Sequence, residues 1–397
     1  MNRKKLFSQS LVAGQVFLAS NVIYSLASVP LALSYLSVEE FGLWAAVMQV
    51  TNFLLLLDAG FSSGAGRLLI DVKDNRPCKA YGRLVASTLT ILMVSAFLAL
   101  CLGLALAGSL VYWMQVPSTL SGAAFSLVSG QVIIASLTLP ARTIGGCLVA
   151  HGRIDLLNIA FATAMFVGLA TMWAAFRADA GIYSLLWANG LSSVYIVTAT
   201  FVFAWKRNLL PAPRELGVPQ RTDFAKVFQL GHNIFLNQVG GMILNVSQAV
   251  LLGRYAGLEA VGIWSVGSKM YQLILQATDK LVQSAGPLCA EMWSRGETER
   301  FNHRFEQLKR LTLVACSIGA ASLIGFNSQF IVVWTGNKVS WDTTFNCLLA
   351  LLFATRSFTS MESIPIIASK VYRNYRFIPL IEATAFIGIA ATLIPSY

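Results

Sequence analysis

The chain has 397 residues, 56% hydrophobic and only 12% charged, with a formal net charge of +11. A globular domain in water carries about 25% charged residues, so this composition excludes a soluble, disordered or fibrous chain and indicates an all-α polytopic membrane protein. An excess of 29 Lys and Arg over 18 Asp and Glu would suggest nucleic acid in a soluble protein, so the placement of those charges has to be read first.

A bilayer core about 30 Å thick needs about 20 apolar residues as helix. Eleven such runs follow one another, at 8–35, 41–66, 84–113, 120–150, 157–176, 182–205, 227–253, 260–290, 311–335, 343–369 and 377–396. The first follows Arg3-Lys4-Lys5 but exceeds the apolar core of a signal peptide, about 7–15 residues, and is expected to remain as an uncleaved helix. Alternate connections are basic. They hold Arg67, Lys73, Arg76, Lys79 and Arg83, then Arg153, the group from Lys206 to Lys226, the group from Arg295 to Arg310, and Lys370, Arg373 and Arg376. The other connections hold only Arg177, Arg254 and Lys338. Lys/Arg-rich loops stay in the cytoplasm, so the amino terminus is expected inside. The surplus charge is then mainly a topology signal, and nucleic acid is not an expected partner. Six scattered cysteines offer no external pairing.

Slid by 220 positions, the chain matches itself: Tyr35, Glu39, Gly42 and Trp44 meet Tyr255, Glu259, Gly262 and Trp264, and Ala65-Gly66 meets Ala285-Gly286. The offset spans six helices, so both copies enter the membrane in the same direction, as in a parallel repeat. The expected organisation is an amino-terminal lobe over 1–205, a cytoplasmic linker over 206–226 and a carboxy-terminal lobe over 227–397. These two pseudo-symmetric lobes would enclose a central cavity. A duplication retained for packing alone is the alternative. Six helices per lobe make twelve; with eleven found, either the sequence is truncated or the last helix is missing.

Ionisable groups inside a bilayer usually face a cavity or a partner. The basic ones here are Arg142, Lys269, Lys280 and Arg356, and the acidic ones Asp58, Asp279, Glu362 and Glu382. At 100° per residue, Lys269, Gln272, Gln276, Lys280 and Gln283 share one stripe of the eighth run. Such a stripe suits a wet surface offering donors to phosphate or sugar hydroxyls, or else two snorkelling lysines and glutamines bonded to other helices. Asn233, Asn237 and Gln248 share a face of the seventh run. Arg142 follows Pro140 and precedes Gly145-Gly146, where a helix can kink; it either forks onto an anion or anchors at the interface. Asp58, near the middle of the second run, reads as a proton- or ion-coupling carboxylate or as one half of an arginine pair. Among absent chemistries, the three histidines lack metal-ligand spacing, and no phosphate-binding Gly-x-x-x-x-Gly-Lys loop occurs. The external connections, about five residues long, leave no room for a catalytic domain. No enzyme site, metal or cofactor is expected.

Phe41-Gly42-Leu43-Trp44, Leu57-Asp58-Ala59-Gly60 and Arg67 resemble the start of the polysaccharide-transporter branch of the multidrug/oligosaccharidyl-lipid/polysaccharide (MOP) exporter superfamily. Gly262-Ile263-Trp264 and Ala285-Gly286-Pro287 through Glu291-Met292 are similar to its second half. Ala59 to Gly64 departs from the usual Leu-Gly-Leu-Gly run. The resemblance is to a Wzx-type O-antigen flippase. It implies movement of an undecaprenyl-pyrophosphate-linked oligosaccharide to the outer leaflet of a bacterial cytoplasmic membrane by alternating access. Arg142, Lys269, Lys280 and Arg356 would hold the anionic head group. Asn237, Gln248, Gln272 and Gln276 would meet the sugar, and Asp58 and Asp279 would couple transport to H+ or Na+. A polysaccharide polymerase and a chain-length regulator would be partners. The other readings are a drug/cation antiporter of the same superfamily, against which the lysine stripe speaks, and a non-transporting component of a glycan polymerase or ligase complex.

Overall fold

In the computed structural model the described residues are 3–58, 60–73, 79–212, 214–368 and 378–393. Among them the secondary structure is helical throughout. The α-helices are α1 (Arg3–Tyr35), α2 (Val38–Leu54), α3 (Phe61–Val72), α4 (Lys79–Trp113), α5 (Ser118–Ala150), α6 (Ile154–Arg177) and α7 (Tyr183–Lys206). They continue with α8 (Arg221–Tyr255), α9 (Gly257–Gly267), α10 (Lys269–Ser294), α11 (Thr298–Trp334), α12 (Thr343–Ala368) and α13 (Ile378–Leu393). Seven segments of the described residues are long and apolar enough to cross a bilayer: those in α1, α4, α5, α6, α7 and α11, and the stretch Val38–Asp58. The polar residues on α8 and α10 lower the apolar content that such a span requires.

Two of the expected spans are not continuous. The run at 41–66 divides into α2, a 3₁₀ turn at Leu55–Asp58, and α3. Gly60, at φ 71°, adopts the left-handed conformation that glycine takes without a Cβ clash. Asp58 Oδ1 then accepts the Ser62 N–H at 2.9 Å, satisfying one of the donors orphaned at the start of α3. The run at 260–290 divides at Ser268. Its hydroxyl bonds back to the Trp264 carbonyl at 2.7 Å, a contact that bends helices.

Helix α2 starts with a reciprocal cap. The Ser37 N–H donates to Glu40 Oε2 at 2.8 Å, and the Glu40 N–H donates to Ser37 Oγ at 3.1 Å. Such a box satisfies two orphaned donors at once. Ser37→Ala is therefore expected to cost about 1 kcal/mol, read as a lowered apparent Tm in detergent. Glu39 and Glu259, paired by the internal repeat, both lie in the first turn of their helices, where a negative charge meets the positive end of the helix dipole.

The chain packs as two compact units, Met1–Val261 with Pro379–Tyr397, and Gly262–Ile378. In the first, a core of Leu43, Val47, Leu54, Leu127, Val132, Met172 and Phe176 joins α2, α5 and α6. Residues 206–212 and 214–226 lie in this unit, and Leu209 meets the start of α4. The Tyr81 hydroxyl donates to the Leu209 carbonyl at 2.8 Å, and Glu215 Oε2 accepts the Ala212 N–H at 2.9 Å. In the second unit α10, α11 and α12 form a three-helix group. One apolar cluster gathers Phe353 with Cys316, Leu323 and Leu275; another gathers Val282 with Leu308, Met361 and Ile364.

Candidate functional site

Between those two clusters the α10–α12 seam changes character. A cavity of about 240 Å³ opens there, lined by Leu275, Asp279, Arg356, Thr359, Ser360 and Ser363. Leu275 and Asp279 lie one turn apart on α10. Arg356, Thr359, Ser360 and Ser363 follow the i, i+3, i+4, i+7 spacing of one helix face. The Thr359 hydroxyl donates to the Thr355 carbonyl at 2.8 Å and the Ser363 hydroxyl to the Ser360 carbonyl at 2.6 Å. Each therefore turns acceptor lone pairs outward. The ion pairs found among the described residues join Arg142 to Asp58, Arg83 to Asp223, Arg153 to Asp155 and Arg300 to Glu297; Asp279 and Arg356 take part in none of them. A guanidinium fork and a carboxylate thus line one cavity without an ion pair between them, an arrangement that can serve an external ligand.

The first unit brings together two other expected site residues. Helix α3 approaches α5 where Gly66 faces the Gly146 backbone, and this sets Arg142 beside Asp58. Arg142 Nη1 donates to Asp58 Oδ2 at 2.7 Å, which also accepts the Ser62 hydroxyl at 2.6 Å. The Asp58 side chain is 9% exposed, and that of Arg142 37%. Asp58 is therefore held by three donors, while the guanidinium remains partly open.

The lysine–glutamine stripe of α10 is not the face that lines the cavity. Gln272 donates to Ser268 Oγ at 3.0 Å, Lys269 is half-buried, and Gln276 and Lys280 are exposed. Gln248, on α8 in the first unit, is half-buried. The side chains of Asn233, Asn237 and Gln283 lie outside the described residues. Thr359, Ser360 and Ser363 carry no charge to mark them in the sequence, although their spacing from Arg356 carries the signal.

A family model described as "Polysaccharide biosynthesis protein" matches residues 34–336. The chain belongs to the polysaccharide biosynthesis protein family. Family membership agrees with the resemblance of the Phe41–Trp44 region to the polysaccharide-transporter branch of the MOP superfamily. A curated relative, "Uncharacterized membrane protein EpsK" of Bacillus subtilis, is 23% identical over 355 residues, covering 87% of this chain and 67% of its own length. Among solved structures, the inward-facing conformation of a multidrug resistance MATE family transporter of the MOP superfamily is similar, with a TM-score of 0.72 at 13% identity. That match covers 95% of this chain and 87% of the other. A MOP superfamily transporter from Pyrococcus furiosus, described as having a binding pocket of reverse polarity, gives a TM-score of 0.69 at 13% identity, covering 99% and 89%. This family member therefore has the MOP transporter fold and is a multi-pass membrane protein.

Proposed function

We propose that the protein is a flippase that moves a lipid-linked oligosaccharide, an undecaprenyl-pyrophosphate-bound O-antigen or related repeat unit, from the cytoplasmic to the outer leaflet of a bacterial inner membrane. The observation that carries this reading is the polar cavity between α10 and α12, in which Arg356 and Asp279 face the same space without pairing. A saccharide head group needs such a hydrogen-bonding path, whereas its polyprenyl tail can stay in lipid. Family membership supports the saccharide, and the transporter fold supports movement rather than bond chemistry. Alternate exposure of the polar groups to the two faces would carry the head group across. The basic connections favour a cytoplasmic amino terminus.

In this reading Arg356 and Arg142 supply donors to anionic oxygen atoms, with Lys269 and Lys280 as further cations. Asp279 is the better candidate for H+ or Na+ coupling, because Asp58 is engaged by Arg142 and Ser62. Deleting the gene tests the reading in cells. Lipid-linked repeat units are expected to accumulate on the cytoplasmic leaflet, and unchanged surface polysaccharide with no such accumulation would remove it.

A further inference from the structure

The α10–α12 cavity has a donor and acceptor pattern that narrows what fits it. Arg356 provides a planar fork of N–H donors, which matches a carboxylate with two parallel bonds. Asp279 accepts only, when ionised, and the hydroxyl oxygens of Thr359 and Ser363 have spent their protons on α12 carbonyls. The complementary ligand therefore carries one oxyanion beside several hydroxyl donors. The volume of about 240 Å³ falls below the range of about 300–1,000 Å³ common for drug-sized ligands, which suits a single ring.

Two sources of oxyanion exist on a lipid-linked saccharide, a carboxylate on a sugar and the pyrophosphate. Asp279 separates them. Like charges brought together across a binding surface are unfavourable, and a pyrophosphate linking lipid to sugar brings two negative charges where a sugar carboxylate brings one. Building on the transport reading, we propose that this cavity is a specificity subsite for one monoanionic sugar ring of the cargo. The carboxylate lies on Arg356, and the ring hydroxyls donate to Asp279, Thr359 and Ser363. The pyrophosphate is held elsewhere.

The test compares two fluorescent undecaprenyl-pyrophosphate-linked disaccharides in proteoliposomes, one containing glucuronate and the other the same ring with its carboxylate reduced to a hydroxymethyl group. The full-length protein is expected to move the first at least about tenfold faster, the factor that a hydrogen bond to a charged group supplies. Arg356→Gln is expected to erase the difference, and Arg356→Lys, which keeps the charge but loses the fork, to restore part of it. Equal rates for both lipids in the wild type, or a preference that survives Arg356→Gln, overturn the subsite and leave the transport reading standing. If neither lipid moves, the transport reading falls and takes the subsite with it. The wild-type comparison depends on no variant's folding.

Discussion

Gly267→Ala is expected to destabilise the second unit by about 1–3 kcal/mol or more, the usual cost of forcing an extra methyl into a filled core. A Cβ on Gly267 would run into Cε3 and Cζ3 of the Trp341 ring. The ring cannot withdraw freely. Trp341 is 8% exposed, and its Nε1 donates to Asn346 Oδ1 at 2.9 Å. That oxygen also accepts from Asn327 Nδ2 at 2.9 Å, and the same Asn327 group donates to the Gly267 carbonyl at 3.2 Å. Asn346 Nδ2 completes the set by donating to Ser328 Oγ at 2.8 Å. A displaced ring therefore strains several buried hydrogen bonds together, and buried polar networks fail badly when partly satisfied. The measurement is apparent Tm in detergent, with Gly325→Ala on α11 as the control. Nothing lies within 4 Å of a Cβ there, so that substitution is expected to be neutral or slightly stabilising. Equal melting of the two variants would show that the Trp341 ring yields to a methyl at Gly267 without cost.

The second large effect belongs to the Asp58–Arg142 pair. Arg142→Ala removes one of three donors from a buried carboxylate, whereas Asp58→Asn leaves the guanidinium without its counter-charge. Breaking a fully buried pair costs several kcal/mol and an exposed one about 0–1. With side chains 9% and 37% exposed, each single change is expected to cost about 1–3 kcal/mol. Because the partners touch, the two changes should not add. A double-mutant cycle with Asp58→Asn and Arg142→Gln is expected to show a coupling of about 1 kcal/mol or more. Additive losses would mean that the 2.7 Å contact contributes little to stability.

Much of the fold is legible in the sequence because one rule governs it: a helix in lipid satisfies its own backbone, so apolar runs of sufficient length declare themselves. The same rule hides breaks. Leu54-Leu55-Leu56-Leu57 reads straight through into the next run, and only Asp58 and Gly60 mark the turn. Ser268 gives still less warning, because a serine bonded back to the preceding turn is compatible with a continuous helix as well as with a broken one. The candidate site divides in the same manner. Arg356 and Asp279 stand out as charges in apolar runs, but their shared cavity depends on how α10 packs against α12. Asp58 and Arg142, 84 positions apart, are each conspicuous alone, yet their pairing follows from the close approach of Gly66 and Gly146. The lysine stripe of α10 has the right periodicity for a wet face, while the cavity takes the adjacent face with Leu275 and Asp279. Periodicity identifies which residues share a side of a helix; the neighbour that side meets is set by tertiary packing.

Arg356 and Asp279, the charges lining the α10–α12 cavity, are proposed to serve a moving saccharide. This role is tested most directly by the rate at which a fluorescent lipid-linked oligosaccharide crosses proteoliposomes containing the wild type, Arg356→Gln or Asp279→Asn. The wild type is expected to transport it, and both variants at least about tenfold more slowly. Apparent Tm should stay near the wild-type value, because among the described residues these side chains hold no ion pair whose loss would loosen the helices. Full-rate transport by both variants, or none by the wild type, would contradict this role.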